Sequence, residues 1–307
     1  MQNAPELPTL RLASRANSSQ YQTEFDPDNA TLWGFFNPHG NPCFSPSFLH
    51  DIRAHDQQFE ENKGLVAANG QWHQAHYYVA GSRVRGVFNL GGDLALFQTL
   101  IRARDRDALL HYGKRCIDCV YPRVRNYHVP GLITISLVQG DALGGGFETA
   151  LSSDLIIAEE GVTMGLPEIL FNLFPGMGAY SLLSRKIGMK KAEELILSGR
   201  MYSAGELYEL GVIDVLAPQD GGKEVTQDWI HQNRKRRNGM QAVFSARREV
   251  HPILRSEMDA ILHLWVDAAL KLEERDLKMM KRLVSAQARR AGNVGEDNSG
   301  GMTSAVA

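Results

Sequence analysis

A chain of 307 residues, 43% of them hydrophobic, is long enough to bury a large core in one domain, with or without an appendage. Lys and Arg total 33 against 35 Asp and Glu, a net charge of -2, which argues against a nucleic-acid-binding surface covering the protein. Three cysteines make no disulfide framework, no apolar run reaches the ~20 residues of a membrane span, and no signal-peptide region is visible, so a cytoplasmic protein is expected.

Residues 1–28 are polar and aperiodic and are expected to form a flexible N-terminal arm. Residues 31–36 read as a strand, and 37–42 as a loop rich in Asn and Pro. Ser45-Pro46 is an N-cap followed by proline at the first helical position, and Phe48, Ile52 and Phe59 follow at helical spacing. A polar linker over 62–74 leads to a second strand near 76–80. Residues 87–90 form a third strand, which Gly91-Gly92-Asp93 turns into a helix. That helix is expected to continue through Phe97, Ile101, Ile117 and Val120. Cys116 and Cys119 lie within it; a single C-x-x-C there reads as half-buried helix residues rather than a zinc or redox site.

A buried strand over 132–138 feeds Gly140 and then the triplet Gly144-Gly145-Gly146, which opens a helix with Glu148 just inside. Residues 154–158 are a short buried strand, Glu168 follows Pro167, and 174–180 turn into another helix. Residues 190–198 and 203–210 are short helices, the second with Ser203 and Glu206 spaced as a capping box, and 212–216 close the alternation as a strand. Strands alternating with helices mean an α/β fold with a mostly parallel sheet. From residue 222 the pattern is helical, and one long helix is expected over 255–290 with Leu262, Trp265, Ala269 and Leu272 in a stripe. Arg234 to Arg237 form a basic cluster, either a solvated helix face or a dock for an acidic partner. The tail, 291–307, is small, polar and Gly-rich, and disorder is expected there. The division expected is thus an arm to 28, a core over 29–221, a helical region over 222–290 covering the site, and a tail.

The chemistry concentrates where glycines follow strands. The first turn of a helix has N–H groups with no internal partner, and glycines let a ligand atom approach them. Two such junctions, at 91–93 and 144–146, could aim two N–H groups at one oxyanion. A glycine-rich turn that only packs a helix tightly on a sheet would show the same run. Glu148 and Glu168 stand twenty residues apart, with one strand and its turns between. Paired carboxylates beside convergent N–H donors suit proton abstraction next to a thioester carbonyl, and apolar neighbours such as Phe147, Leu166 and Phe171 can split their roles by raising a pKa.

The stretch 88–94, the block 138–148, Leu166-Pro167-Glu168 and the segment 192–204 resemble the crotonase (enoyl-CoA hydratase/isomerase) superfamily. The resemblance implies a ClpP/crotonase-like spiral of ββα units with a helical C-terminal region, assembled as trimers or hexamers. It implies oxyanion-hole N–H groups at Gly92 and Gly145 and acid/base carboxylates at Glu148 and Glu168, with no cofactor and no metal. Phe88 to Phe97 departs from ordinary hydratases, which usually carry alanine beside these glycines. That stretch, Ile157 to Val162, Met164 to Glu168, Phe174 to Ser181 and the helix beginning Trp265-Val266-Asp267 look like the bacterial diffusible signal factor (DSF) synthases of the RpfF type. The likeness runs from about Cys43 to Arg290.

That closer resemblance implies dehydration of a 3-hydroxyacyl chain on acyl carrier protein to a cis-2-enoyl thioester, then thioester hydrolysis to the free quorum-sensing fatty acid. It also brings a sensor histidine kinase into view as a partner. An ordinary enoyl-CoA hydratase of fatty-acid degradation is the alternative, and carrier choice separates the two. The Arg234–Arg237 cluster and Arg247-Arg248 could contact either carrier. Met177, Trp265 and Leu283 are the expected acyl-binding residues. Trp265 and Leu283, eighteen residues apart, would share a face of one continuous helix.

Overall fold

The protein is described from a computed structural model that covers residues 20–296, with side chains through residue 285. The chain opens on β1 (Tyr21–Asp26), β2 (Thr31–Phe36), α1 (Pro46–Glu61) and a hairpin of β3 (Leu65–Ala68) and β4 (Gln71–Gln74). Then come β5 (Tyr77–Ser82), β6 (Gly86–Asn89), α2 (Leu94–Ala103) and α3 (Arg106–Val124). β7 (Ile133–Val138), β8 (Gly140–Leu143) and α4 (Gly145–Leu151) follow, then β9 (Leu155–Glu159), β10 (Thr163–Gly165), a 3-10 turn at Pro167–Phe171 and α5 (Ala179–Ile187). The chain closes with α6 (Met189–Ser198), β11 (Met201–Ser203), α7 (Ala204–Glu209), β12 (Val215–Ala217), α8 (Gly222–Asn233), α9 (Arg237–Val250), α10 (Arg255–Ala269) and α11 (Glu274–Glu296).

Three times the chain lays one strand in each of two sheets and returns through helix: β5-β6-α2/α3, β7-β8-α4, and β9-β10 with the 3-10 turn and α5. One sheet has the order β1-β2-β5-β7-β9-β12, the other β11-β10-β8-β6. Within them β2-β5-β7-β9-β12 and β10-β8-β6 are parallel, and β1 and β11 are antiparallel edge strands. This is the α/β spiral of ββα units. β7 is buried along its whole length because both faces of its sheet are covered. Ile133, Ile135 and Leu137 pack with Ile230 of α8 and the half-buried Met240 and Phe244 of α9. Leu132 and Val138 belong to the main core with residues of α1 and α3.

Local signals placed several elements as expected. Ser45 accepts a hydrogen bond from the Phe48 N–H at 3.2 Å with Pro46 at the helix start, and the Ser203–Glu206 capping box forms at α7. Other expectations are corrected. The N-terminal arm does not extend to 28: Tyr21–Asp26 pair with Thr31–Phe36 as an edge strand, and Tyr21 is buried. Its alternation of Tyr21, Thr23 and Phe25 is too polar to announce a strand without its partner. Residues 1–19 lie outside the described residues. The linker over 62–74 contains the β3–β4 hairpin, turned by Asn69-Gly70 with φ of +52° and +75°, the type I′ geometry that Asn-Gly favours.

The helix expected to start at Asp93 and run unbroken breaks at Arg104, which is left-handed at φ +51°, and Asp105 caps α3 by accepting from the Ala108 N–H. The long C-terminal helix is two. α10 ends at Ala269, and α11 begins after a turn in which the Glu273 N–H donates to the Asp276 carboxylate at 2.9 Å. α11 continues to Glu296, six residues into the expected tail, and 297–307 lie outside the described residues.

Candidate active site

The second sheet builds the site. β6, β8 and β10 are parallel neighbours, so their C-terminal ends lie side by side. Adjacent strands sit ~4.8 Å apart. From these three ends emerge the Gly91-Gly92 turn, the Gly144-Gly145 turn and Glu168. The Gly144 N–H donates to the Gly165 carbonyl at 2.9 Å, tying the second end to the third. The first two ends touch through backbone: a Cβ added to Gly91 would stand 2.9 Å from the Gly145 nitrogen and 2.7 Å from the Leu143 carbonyl. Gly91 also has φ +89°, so no other residue type fits there without strain.

Gly145 is the first residue of α4, so its N–H has no intrahelical acceptor. Among the described residues no acceptor engages the Gly92 N–H either. The Gly92 loop is held from three sides. The Asn89 Oδ1 accepts from the Gly91 N–H at 2.7 Å. The Gly91 carbonyl accepts from the Phe44 N–H at 2.7 Å. The Tyr112 hydroxyl donates to the Phe44 carbonyl at 2.5 Å and accepts from the Asp93 N–H at 3.1 Å.

Glu148 lies in the first turn of α4 and is 1% exposed. Its Oε1 accepts from the N–H groups of Met177 at 2.7 Å and Ala179 at 2.9 Å. Burial pushes its carboxyl up to about 7, and those N–H groups oppose the rise by favouring the ionised form. Glu168 stands in the 3-10 turn with its Oε1 over Gly144, 2.5 Å from where a Cβ would lie. Its Oε2 is enclosed and has no hydrogen-bond partner. Burial raises it to about 8, and the Glu148 charge adds to the rise. Glu168 as a residue keeps some surface while its Oε2 is buried.

Both carboxyls and both glycines line one recess. Met177 and Trp265 line it too. Trp265 is 5% exposed, packs edge-on to Phe97 with centroids 5.1 Å apart, and stands where a Gly176 side chain would be. Leu283 is not brought there. The break between α10 and α11 removes the shared helical face, and Leu283 packs half-buried against the core outside the recess lining. Sequence reasoning did not find Tyr112, whose role shows only once α3 lies against the Phe44–Gly92 bridge. Cys116 also lines the recess, whereas the Cys119 thiol donates to the Leu49 carbonyl at 3.4 Å. Arg247 and Arg248 are not a free basic surface: both reach the buried carboxylate of Asp154. Arg237 donates to the Gly131 carbonyl at 3.0 Å.

The sequence profile described as Enoyl-CoA hydratase/isomerase matches residues 85–290, which spans every part of this recess. The chain belongs to the enoyl-CoA hydratase/isomerase family. It is 28% identical over 151 residues to the fatty acid oxidation complex subunit alpha of Vibrio vulnificus, a match covering 48% of this chain and 20% of that protein. It is 39% identical over 100 residues to an enoyl-CoA isomerase/hydratase of Mycosarcoma maydis, covering 32% of this chain and 36% of that one. The chain spans between a fifth and about half of the length of the curated relatives it matches.

Similar folds include Bacillus halodurans enoyl-CoA hydratase, with TM-score 0.69 at 18% identity over 86% of this chain and 100% of that one. They also include Pseudomonas aeruginosa DspI, with TM-score 0.63 at 18% identity over 80% of this chain and 93% of that one. Human mitochondrial delta3-delta2-enoyl-CoA isomerase matches with TM-score 0.65 at 18% identity over 89% of this chain and 99% of that one. Among the described residues no helix is long and apolar enough to cross a membrane.

Proposed function

We propose that this family member removes water from a 3-hydroxyacyl thioester on acyl carrier protein and then hydrolyses the thioester, releasing a cis-2-unsaturated fatty acid signal of the DSF family. The observation that carries the reading is the pair of buried carboxyls with unequal partners around one recess. Glu148 has two N–H donors that favour its carboxylate; the enclosed Oε2 of Glu168 has none and favours the neutral acid. The Glu148 carboxylate takes the α-proton. The N–H groups of Gly92 and Gly145 hold the enolate oxygen. Glu168 gives its proton to the departing hydroxyl, which leaves as water.

After that step the two protons have changed places: Glu148 is the acid and Glu168 the carboxylate. Hydrolysis runs on this arrangement and resets it. The Glu168 carboxylate takes a proton from water as the oxygen attacks the thioester carbonyl. The same two N–H groups hold the tetrahedral oxyanion. Its collapse expels the thiolate, which takes the proton from Glu148. Atoms balance, and each carboxyl returns to its starting state.

The second reading is an ordinary enoyl-CoA hydratase. It uses the first step in reverse and then stops, and the family membership and the enoyl-CoA hydratases among its relatives favour it. Assembly as a trimer or hexamer and association with a sensor histidine kinase belong to the signal-synthase reading. Product analysis by mass spectrometry separates the two. Purified protein is offered 3-hydroxydodecanoyl thioesters of acyl carrier protein and of CoA, beside Glu148→Ala and Glu168→Ala. Free 2-enoic acid from the carrier-protein substrate, lost in both variants, is expected. An enoyl thioester that stays attached, formed best from CoA, would leave the plain hydratase.

A further inference from the structure

α4 carries the Gly145 N–H and Glu148 and is only seven residues long, about 10 Å from end to end. Its N-terminal end is held by the Gly144 N–H on the Gly165 carbonyl and by the brace on Glu148. Its other end meets Arg123, which stands in the last turn of α3 and is 3% exposed. The guanidinium donates from Nε to the Ser152 Oγ at 3.2 Å, from Nη2 to the Ser153 Oγ at 2.6 Å and from Nη1 to the Tyr127 hydroxyl at 3.2 Å. Ser152 ends α4, and its Oγ donates in turn to the Thr149 carbonyl at 2.6 Å. The Thr149 Oγ1 donates to the Gly145 carbonyl at 2.8 Å. Side-chain hydrogen bonds thus run from Arg123 along the helix to the residue that presents the N–H.

An arginine is a costly way to fill this part of the interior. All three hydrogen-bond partners of its guanidinium are hydroxyls, and the Tyr78 ring centre lies 5.7 Å from its carbon. Asp56, buried in α1, adds a negative charge without a hydrogen bond to the guanidinium. A buried cation with no anion in contact is destabilising, and an apolar side chain of similar volume would pack there with less penalty. The charge has a local use: the last carbonyls of α4 carry the negative end of that helix, which a cation complements. The planar fork has another. It fixes the adjacent residues Ser152 and Ser153 in one orientation, and the Ser153 Oγ lies 2.8 Å from the Ser136 Oγ of β7.

We propose that Arg123 is a positioning residue: its guanidinium clamps the C-terminal end of α4 and so sets where the Gly145 N–H and the Glu148 carboxylate stand. This rests on Glu148 as the acid/base group, which the signal-synthase and hydratase readings share. A two-turn helix held at both ends moves as a unit, so freeing one end tilts the other. A displacement of about 1 Å at the reacting groups lowers a rate by up to ~10²-fold. The loss falls on kcat more than on KM, because proton transfer and oxyanion binding need that geometry and docking of the rest of the thioester does not.

Replacing the partners one at a time tests this, with turnover of a 3-hydroxyacyl thioester and hydrogen–deuterium exchange mass spectrometry as readouts. Ser153→Ala removes the bond on the α4 side and Tyr127→Phe the bond on the far side, and both keep the buried cation. Ser153→Ala is expected to lower kcat about tenfold at little-changed KM and to speed amide exchange over residues 145–151. Tyr127→Phe, and Ser136→Ala, which removes only the β7 contact of Ser153, are expected to lower the urea midpoint and leave kcat within about twofold. Arg123→Met is expected to show both losses, and Arg123→Lys, which keeps the charge and loses the fork, to recover only part of the kcat. The Ser153 and Tyr127 variants decide the matter if Arg123→Met does not fold. Equal effects of those two on kcat, or unchanged exchange over 145–151 in Ser153→Ala, would overturn the clamp. Faster exchange there in a protein that turns over neither thioester would sustain the clamp and remove the acid/base reading, so the two failures are distinct.

Discussion

Glu148 and Glu168 are the same side chain in two different surroundings, and their chemistry follows from that difference. Replacing either with Gln keeps the shape and removes the titration. A loss of about 10²–10⁴ in kcat is expected for each, read by steady-state turnover of a 3-hydroxyacyl thioester. The reactive form holds one proton between the two groups. Activity is expected to be greatest between about 7 and about 8, falling below as the base is protonated and above as the acid is lost. A pH profile that stays flat from 6 to 9 would remove the assignment of both roles. The same shifts affect stability. Both groups titrate above the ordinary 4.5, so the folded state binds more protons than the unfolded chain between about 4.5 and 8. Stability is full below that window, falls as pH rises through it, and levels off above. Glu168→Gln is expected to flatten its share of the slope, leaving the variant about 1–2 kcal/mol more stable than wild type at pH 9 in urea unfolding.

At the scale of the element, the ends of β6, β8 and β10 matter more than their lengths. Tyr112 joins the Phe44 carbonyl to the Asp93 N–H and so fixes the loop that presents the Gly92 N–H. Tyr112→Phe keeps the ring and removes both hydrogen bonds. It is expected to lower kcat by about tenfold with KM little changed, because a misplaced donor weakens transition-state binding more than substrate binding. A rise in KM at constant kcat would assign Tyr112 to packing alone. Capping residues decide where helices break. Asp105 and the Glu273–Asp276 turn end runs whose apolar periodicity would otherwise continue, which is why two unbroken helices expected from the sequence became four. The capping at Ser45 and Ser203 was legible because the donor lies within three residues of the acceptor.

Across the whole molecule, Asp154 ties the layers together. It is 4% exposed, and its carboxylate meets Arg247 and Arg248 of α9, the Asn126 amide and the Thr134 N–H of β7. Asp154→Ala leaves two arginines and an amide without their partner. A loss of about 3–5 kcal/mol in denaturant unfolding is expected, with the remaining folded protein still active. Arg247 and Arg248 read in the sequence as surface charge because their partner lies more than ninety residues away.

The sequence by itself determined the alternation of strand and helix, the two glycine junctions and the two carboxylates, because each is written in neighbouring residues. Periodicity, caps and glycine runs are local, and β7 is buried along its whole length. It did not determine that Tyr21–Asp26 is an edge strand or that Leu283 stays outside the recess. Those depend on a pairing partner and on a helix break. Only the tertiary structure decided that the ends of three parallel strands stand side by side, with Gly92, Gly145 and Glu168 around one space and Glu148 braced by the turn at Met177. The physical reason is sheet order. Residues separated by dozens of positions become neighbours when β10, β8 and β6 pair in register, and no local pattern records that pairing.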